Sequence, residues 1–408
     1  MEVNGLPIVK LGEILPASYK NGIYKNSESY GSGTPILRIT DFNNDGNLVN
    51  RGLRRLELSP KEIKGYQLQR DDIVVNRVNS LTHLGKAVLW RNERGEEVVY
   101  ESNMMRIEPN PSVVLPEFLI RVLQSHNARS HFRKVAKRAV AQCSISQQDV
   151  KSLTFPLPPL PEQKKIALIL TTWDQAITAT ERLLENSQQR KKGLMQQLLT
   201  GKKRMPGYEE EWESKHISQT GKIVSGGTPD TNDGDLWGGD VQWLTPTDIT
   251  ALKTHFIYDT PRKITEKGVT ESSATLMPSG SLCVCTRASV GLMAISTTPI
   301  TTNQGFKSVI PNNKHDVEFL YYLFSFNRHV FIRYSSGSTF MELSKKDFVK
   351  IIFNYPPVAE QKAIARILAS ANNEIEQLQK RINHLKQEKK ALMQQLLTGK
   401  RRVQVEAA

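Results

Sequence analysis

Residues 162–204 align without a gap on residues 360–402 at a constant offset of 198, and about half of the paired positions are identical. Leu194–Lys202 (LMQQLLTGK) returns unchanged as Leu392–Lys400, and Glu162-Gln163-Lys164 returns as Glu360-Gln361-Lys362. Each copy follows a proline pair, Pro158-Pro159 or Pro356-Pro357. An internal repeat of this kind governs the whole architecture. Weaker echoes lie upstream. Ser146 and Asp149 match Ser344 and Asp347 at offset 198, Glu117-Phe118-Leu119 matches Glu318-Phe319-Leu320 at 201, and Thr40-Asp41 matches Thr247-Asp248 at 207. Asp72–Val75 before Arg77 parallels Ser281–Val284 before Arg287. The offset drifts only upstream, so insertions and deletions fell there. The chain divides into a first variable domain (1–156), a first repeated segment (157–204), a second variable domain (205–355), a second repeated segment (356–403) and a tail (404–408).

The repeated segments read as long helices. Apolar residues step by threes and fours through Ile166, Leu170, Trp173, Ile177, Leu184, Leu194 and Leu198. The second copy steps through Ile364, Leu368, Ile375, Leu378, Ile382, Leu385, Leu392 and Leu396. This is a heptad seam, with Thr180, Ser187, Lys191 and Lys389 as its polar members. Pro161 and Glu162 suit a first helical turn, and Gly201 and Gly399 suit the far ends. At 1.5 Å per residue the helix from Glu162 to Thr200 is ~58 Å long. A parallel pair would hold the termini of the intervening domain ~58 Å apart, whereas such a domain is only ~40 Å across. An antiparallel pair needs neighbouring termini. The sequence therefore predicts an antiparallel two-helix coiled coil with a domain docked at each end.

The net charge is +14 and the pI near 9.5, a balance that points to nucleic acid as partner. The two repeated segments hold +11 of it, so the domains themselves are nearly balanced. With 38% hydrophobic and 24% charged residues the chain reads as soluble and globular. Its densest apolar run, Ile166–Leu170, is far short of a membrane span, and the N-terminus lacks a basic stretch followed by an apolar core. A cytoplasmic protein without membrane contact is expected. Cys143, Cys283 and Cys285 cannot form a disulfide framework, and no metal site is expected of them.

Each variable domain mixes β-rich runs with helix and reads as α+β. Ile73–Asn76, Lys86–Trp90 and Glu97–Tyr100 are expected strands, as are Ser281–Cys285, Met293–Ser296 and Lys307–Ile310. Leu115–Arg138 and Val317–Arg333 are expected helices, and Tyr30–Pro35, Ser225–Pro229 and Ser335–Thr339 are expected glycine-rich loops. Candidate DNA contacts are long donors and amides after strands: Arg77, Asn79 and Ser80 in the first domain, Arg287 and Ser289 in the second. Arginine pairs in bidentate fashion with guanine and asparagine with adenine. Arg129, Arg133, Lys134, Lys137 and Arg138 make a basic stretch with Gln142 beyond it, and Arg328, Arg333, Ser336, Ser338 and Thr339 take the same place in the second half. Those residues are suited to phosphates.

No catalytic constellation is found. Asn354-Tyr355-Pro356-Pro357 has the letters of an amino-methyltransferase tetrad in the wrong order, and Thr200-Gly201-Lys202 is not a phosphate loop. The pattern suits a chain that binds. The alternative is a non-catalytic coiled-coil adaptor with protein-binding globular ends, which explains the heptads but not the divergence of two sibling domains.

Two variable domains alternating with two conserved helices, each opened by Pro-Pro-x-x-Glu-Gln-x-x-Ile-Ala and closed by Leu-Leu-Thr-Gly-Lys, resemble the specificity subunit of type I restriction–modification systems. The Ser336–Thr339 loop before Leu343-Ser344 resembles the end of a target-recognition domain. Residues 139–142 depart from that loop in the first half, and Ala359 departs from Pro161 in the second helix opening. The resemblance implies two α+β target-recognition domains in tandem, each reading half of a bipartite, asymmetric sequence in double-stranded DNA. The helices would set the spacer and dock two modification (methyltransferase) subunits, with restriction (motor–nuclease) subunits joining. It implies no activity and no cofactor for this chain. S-adenosylmethionine, ATP and Mg²⁺ would belong to the partners.

Overall fold

The computed structural model describes the chain except Met1, Pro16, Ser18, Asn50, Arg51, Arg94, Ala141, Ser338–Phe340 and Glu406–Ala408. The candidates Ser338 and Thr339 thus lie outside the described residues. The chain forms two units, Met1–Glu181 with Lys380–Ala408, and Arg182–Gln379. The division runs through both long helices, Leu160–Leu198 and Val358–Leu396, each of 39 residues. Each unit therefore joins one α+β domain to the opening half of one long helix and the closing half of the other.

In the first unit a four-stranded antiparallel sheet runs Tyr19–Asn21, Met104–Ile107, Ile73–Asn76, Ala87–Leu89. Successive strand residues face opposite sides. Ile73, Val75, Met105 and Ile107 enter one core with Phe118, Leu119 and Leu123 of helix Pro116–Gln124 and with Ile166, Leu170 and Leu396 of the long helices. Val74, Val88 and Met104 enter a second core behind the sheet. The second unit repeats the plan. Its central sheet runs Gly221–Ser225, Lys307–Pro311, Leu282–Val284, Met293–Ser296, Phe256–Ile257. Leu282, Val284 and Ile295 face Phe319, Leu320, Leu198, Ile364 and Leu368, while Cys283, Cys285 and Ala294 face the other way. The sequence reading of tandem α+β domains with two long helices holds.

Local expectations needed three corrections. Tyr30–Pro35 is no loop but part of strand Tyr30–Leu37, whose register against Arg54–Leu56 shifts between Tyr30 and Thr34. Gly33 sits there at φ +93°, and a side chain would meet the Leu56 carbonyl. Leu115–Arg138 is not one helix. It breaks at Ser125, whose hydroxyl caps helix His126–Val135 by accepting from Ala128 N–H, and Lys137–Arg138 is a strand. Val317–Arg333 likewise breaks at Asn327 into Val317–Phe326 and Arg328–Arg333.

Within each unit the long helices run antiparallel. In the first, Glu162, Asp174 and Glu181 pair with Arg402, Lys389 and Lys386, rising along one helix and falling along the other. In the second, Ser187 and Arg204 pair with Glu374 and Glu360. Of the seam residues, Ile166, Leu170, Ile177, Leu198, Ile364, Leu368, Ile382 and Leu396 are buried. Trp173, Leu184, Leu194, Ile375, Leu378, Leu385 and Leu392 are only half-buried. Burial is deepest where a helix face serves both its partner helix and a domain core. Gly201 (φ +70°) and Gly399 (φ +69°) end the helices in the left-handed region. No helix among the described residues is long and apolar enough to cross a membrane.

Candidate nucleic-acid interface and its mounting

The repeated Glu–Gln doublet mounts each domain on the helix pair. Arg402 donates from Nε and Nη2 to the Glu162 carboxylate at 2.7–3.0 Å, and Val403 N–H donates to the same group. Arg204 grips Glu360 in the same way, with Met205 N–H and Trp212 Nε1 adding bonds. Hydrogen bonds to these carboxylates raise both guanidinium pKa values above their ordinary range. The adjacent glutamine faces the domain. Gln163 accepts from Leu115 N–H at 2.8 Å and donates to the Val113 and Pro158 carbonyls. Gln361 accepts from Asp316 N–H at 2.9 Å and donates to the Lys314 and Pro356 carbonyls. A primary amide suits this buried position because it offers an acceptor and two donors at once. Glu162 and Glu360 thus tie the end of one helix to the start of the other, while Gln163 and Gln361 tie the start of the domain helix to the start of their own long helix.

In the second domain the corresponding segments meet, among the described residues, as the isolated bridges Arg287 to Glu342 and Ser336 to Glu342, whereas the first domain carries a small three-stranded ribbon. In the first unit its strands are Lys137–Arg138, Cys143–Ser144 and Val78–Asn79. Arg138, Cys143 and Asn79 form one cross-strand row, and Lys137, Ser144 and Val78 the next. Exposed Arg133 and Lys134 end the helix that feeds this ribbon, and Gln142 is exposed in its turn. Among the described residues, Arg133, Lys134, Lys137 and Arg138 have no ion-pair partner. The structure therefore brings these candidates together with Asn79 and Ser80. Asn79 is partly committed, since its Oδ1 accepts from Ser80 N–H at 2.7 Å. The Ser80 hydroxyl bonds Thr82 and His83 within its own loop. Arg129 stands apart as a framework residue. It donates to the Leu84 and Asn44 carbonyls, and burial, helped by the Arg133 charge, pushes its pKa down to about 10.

In the second unit Arg287 and Ser336 both bridge to Glu342. Leu343 N–H donates to the Thr286 carbonyl just as Ile145 N–H donates to that of Arg77. Thr286 is therefore the counterpart of Arg77, and Arg287 is the counterpart of Val78. The sequence pairing of Arg77 with Arg287 was off by one residue, which in a strand exchanges the faces. Arg77 is half-buried, and its Nη1 donates to the Ser102 carbonyl. Arg287 is exposed, and its Nη2 donates to both Glu342 oxygens at 2.7 and 2.8 Å. Ser289 N–H closes a tight turn on the Arg287 carbonyl. Arg333 is exposed beside the Tyr334 ring, and Arg328 is spent on the Val290 carbonyl over Gly291. Glu342 escaped the sequence reading, which sought donors alone. Alignment at offset 198 places it opposite Ser144.

In each unit an α+β domain is mounted by the same Glu–Gln doublet on the long helices. The family described as type I restriction modification DNA specificity domain matches residues 5–186 and 209–387, so the chain belongs to that family. It is 29% identical to the putative type I restriction enzyme MjaX specificity subunit of Methanocaldococcus jannaschii, over 94% of this chain and 91% of that one. It is 24% identical to the HindI specificity subunit of Haemophilus influenzae, over 89% and 96%. The crystal structure of the S subunit of the type I restriction–modification system from M. genitalium superposes with a TM-score of 0.60 at 15% identity, covering 97% of each chain. The chain is thus a type I restriction–modification DNA specificity subunit with two tandem recognition domains. DNA and the restriction–modification complex are its partners.

Proposed function

We propose that each recognition domain reads one half of a bipartite, asymmetric sequence in double-stranded DNA. The long helices fix the gap between the halves and dock two modification subunits, to which restriction subunits add. The observation that carries this reading is the paired mount. Glu162-Gln163 and Glu360-Gln361 make the same bonds in both units, apart from the extra one from Trp212, while the strand segments they support differ. Two frames of one design carrying two different faces suit two half-sites of different sequence. A helix of ~58 Å bounds their separation at about 17 base pairs at 3.4 Å each. In this reading the chain binds no cofactor. S-adenosylmethionine, ATP and Mg²⁺ are held by the partners, and the complex works in the cytoplasm. Co-expression with the methylating partner and mapping of modified adenines across the host genome is the test. The expected result is one two-part sequence with a fixed unspecified gap. A single uninterrupted sequence, or modification without sequence preference, contradicts it.

A further inference from the structure

The segment that follows the cross-strand rows is framed alike in the two units. Ser146 and Asp149 cap the next helix in the first unit as Ser344 and Asp347 do in the second. Ile145 and Leu343 are both buried. Yet the row Val78, Ser144, Lys137 becomes Arg287, Glu342, Ser336. The next row changes as well, Asn79 and Cys143 giving way to Ala288 and Met341, so a whole surface varies over a shared frame, as one that reads two different half-sites must.

Glu342 is the unexpected member. A carboxylate on a DNA-facing surface is repelled by phosphates, so its position calls for a specific partner. It sits among cations, since its charge and those of Arg287 and Lys345 all bear on buried Lys307. Its two oxygens are taken by Nη2 of Arg287, while the side chains remain 45% (Arg287) and 42% (Glu342) exposed. The pair is therefore held yet reachable, and Nη1 of Arg287 has no hydrogen-bond partner among the described residues. With Nη2 held by Glu342, a guanidinium steadied in this way directs its Nη1 donor at a guanine acceptor in the major groove. It also loses less side-chain freedom on binding than an untethered arginine.

We propose that Arg287 reads a guanine in the half-site of the second recognition domain, and that Glu342 is the positioning residue that aims it and suppresses phosphate binding. This rests on the bipartite reading above. The test maps methylated adenines with the full complex carrying Arg287→Ala, Arg287→Lys or Glu342→Gln beside the unaltered chain. If the unaltered complex yields no two-part sequence, the bipartite reading itself fails. If it does, Arg287→Ala and Arg287→Lys are expected to relax one guanine position by about tenfold, in one half only. Glu342→Gln is expected to weaken the same position and to steepen the salt dependence of binding to unrelated DNA by about one counterion. Melting curves confirm folding. Unchanged sequence preference in the arginine variants, uniform loss at every position, or relaxation in both halves would overturn the assignment. So would a Glu342→Gln complex that keeps both its guanine preference and its salt slope.

Discussion

The two units share a mount and differ in almost everything that rests on it. The Glu–Gln doublets repeat their bonds apart from an extra one from Trp212 to Glu360, but the seat beside them does not. In the first unit Arg121 of the domain helix lies 2.6 Å from Asp174, and Lys389 lies 2.5 Å from the same carboxylate. At the aligned positions of the second unit Asn372 donates to the Tyr322 hydroxyl at 3.0 Å. The sheets show the same contrast. Asp72 is buried in the first domain where the second has Ser281. Duplication kept the bonds at the mount and released the side-chain pairs beside it.

That contrast can be broken at three places. The mount should respond equally in both units. Gln163→Ala and Gln361→Ala each leave a buried N–H and two carbonyls unpaired, a loss of about 1–3 kcal/mol. Chemical denaturation should find the two losses alike, and a large loss in one unit alone would show that the mounts are not equivalent. The seat should respond unequally. Asp174→Asn strips the carboxylate from two cations and should cost about 1 kcal/mol, whereas Asn372→Ala removes one neutral hydrogen bond and should cost less. Equal losses would erase the distinction. The smallest effect is the pH dependence that Asp72 adds and Ser281 does not. Burial raises the Asp72 pKa from 3.8 to about 6, against the opposing bond from Gln69 N–H. The folded state then binds the proton more tightly than the unfolded chain. This contribution to stability is full below about pH 4, falls as the pH rises to about 6 and is flat above. Melting temperatures of the unaltered chain minus those of Asp72→Asn should follow that curve, and no variant at Ser281 should.

The long-range plan was legible in the sequence because repeats and heptads are patterns of spacing. The offset of 198 placed the helices, and the length argument gave their antiparallel sense. Site detail was less legible, for physical reasons. Ser125 breaks a helix by capping the next one, a local bond that hides inside an apolar periodicity. Tyr30–Pro35 carries loop residues because a bulged strand needs them. Arg77 and Arg287 looked equivalent by type, but a one-residue difference after a strand sends one inward to the Ser102 carbonyl and the other outward to Glu342. The glutamines of the doublets stood out as a motif, yet their partners Leu115 and Asp316 lie more than 40 residues away and only folding joins them.

The most direct measurement exchanges residues 1–156 for the corresponding domain of a relative with a different target and maps methylated adenines in the reconstituted complex. Independent reading heads on a common mount predict that one half of the sequence changes while the other half and the gap between them stay as they were. A change in both halves, or in the length of the gap, would contradict it.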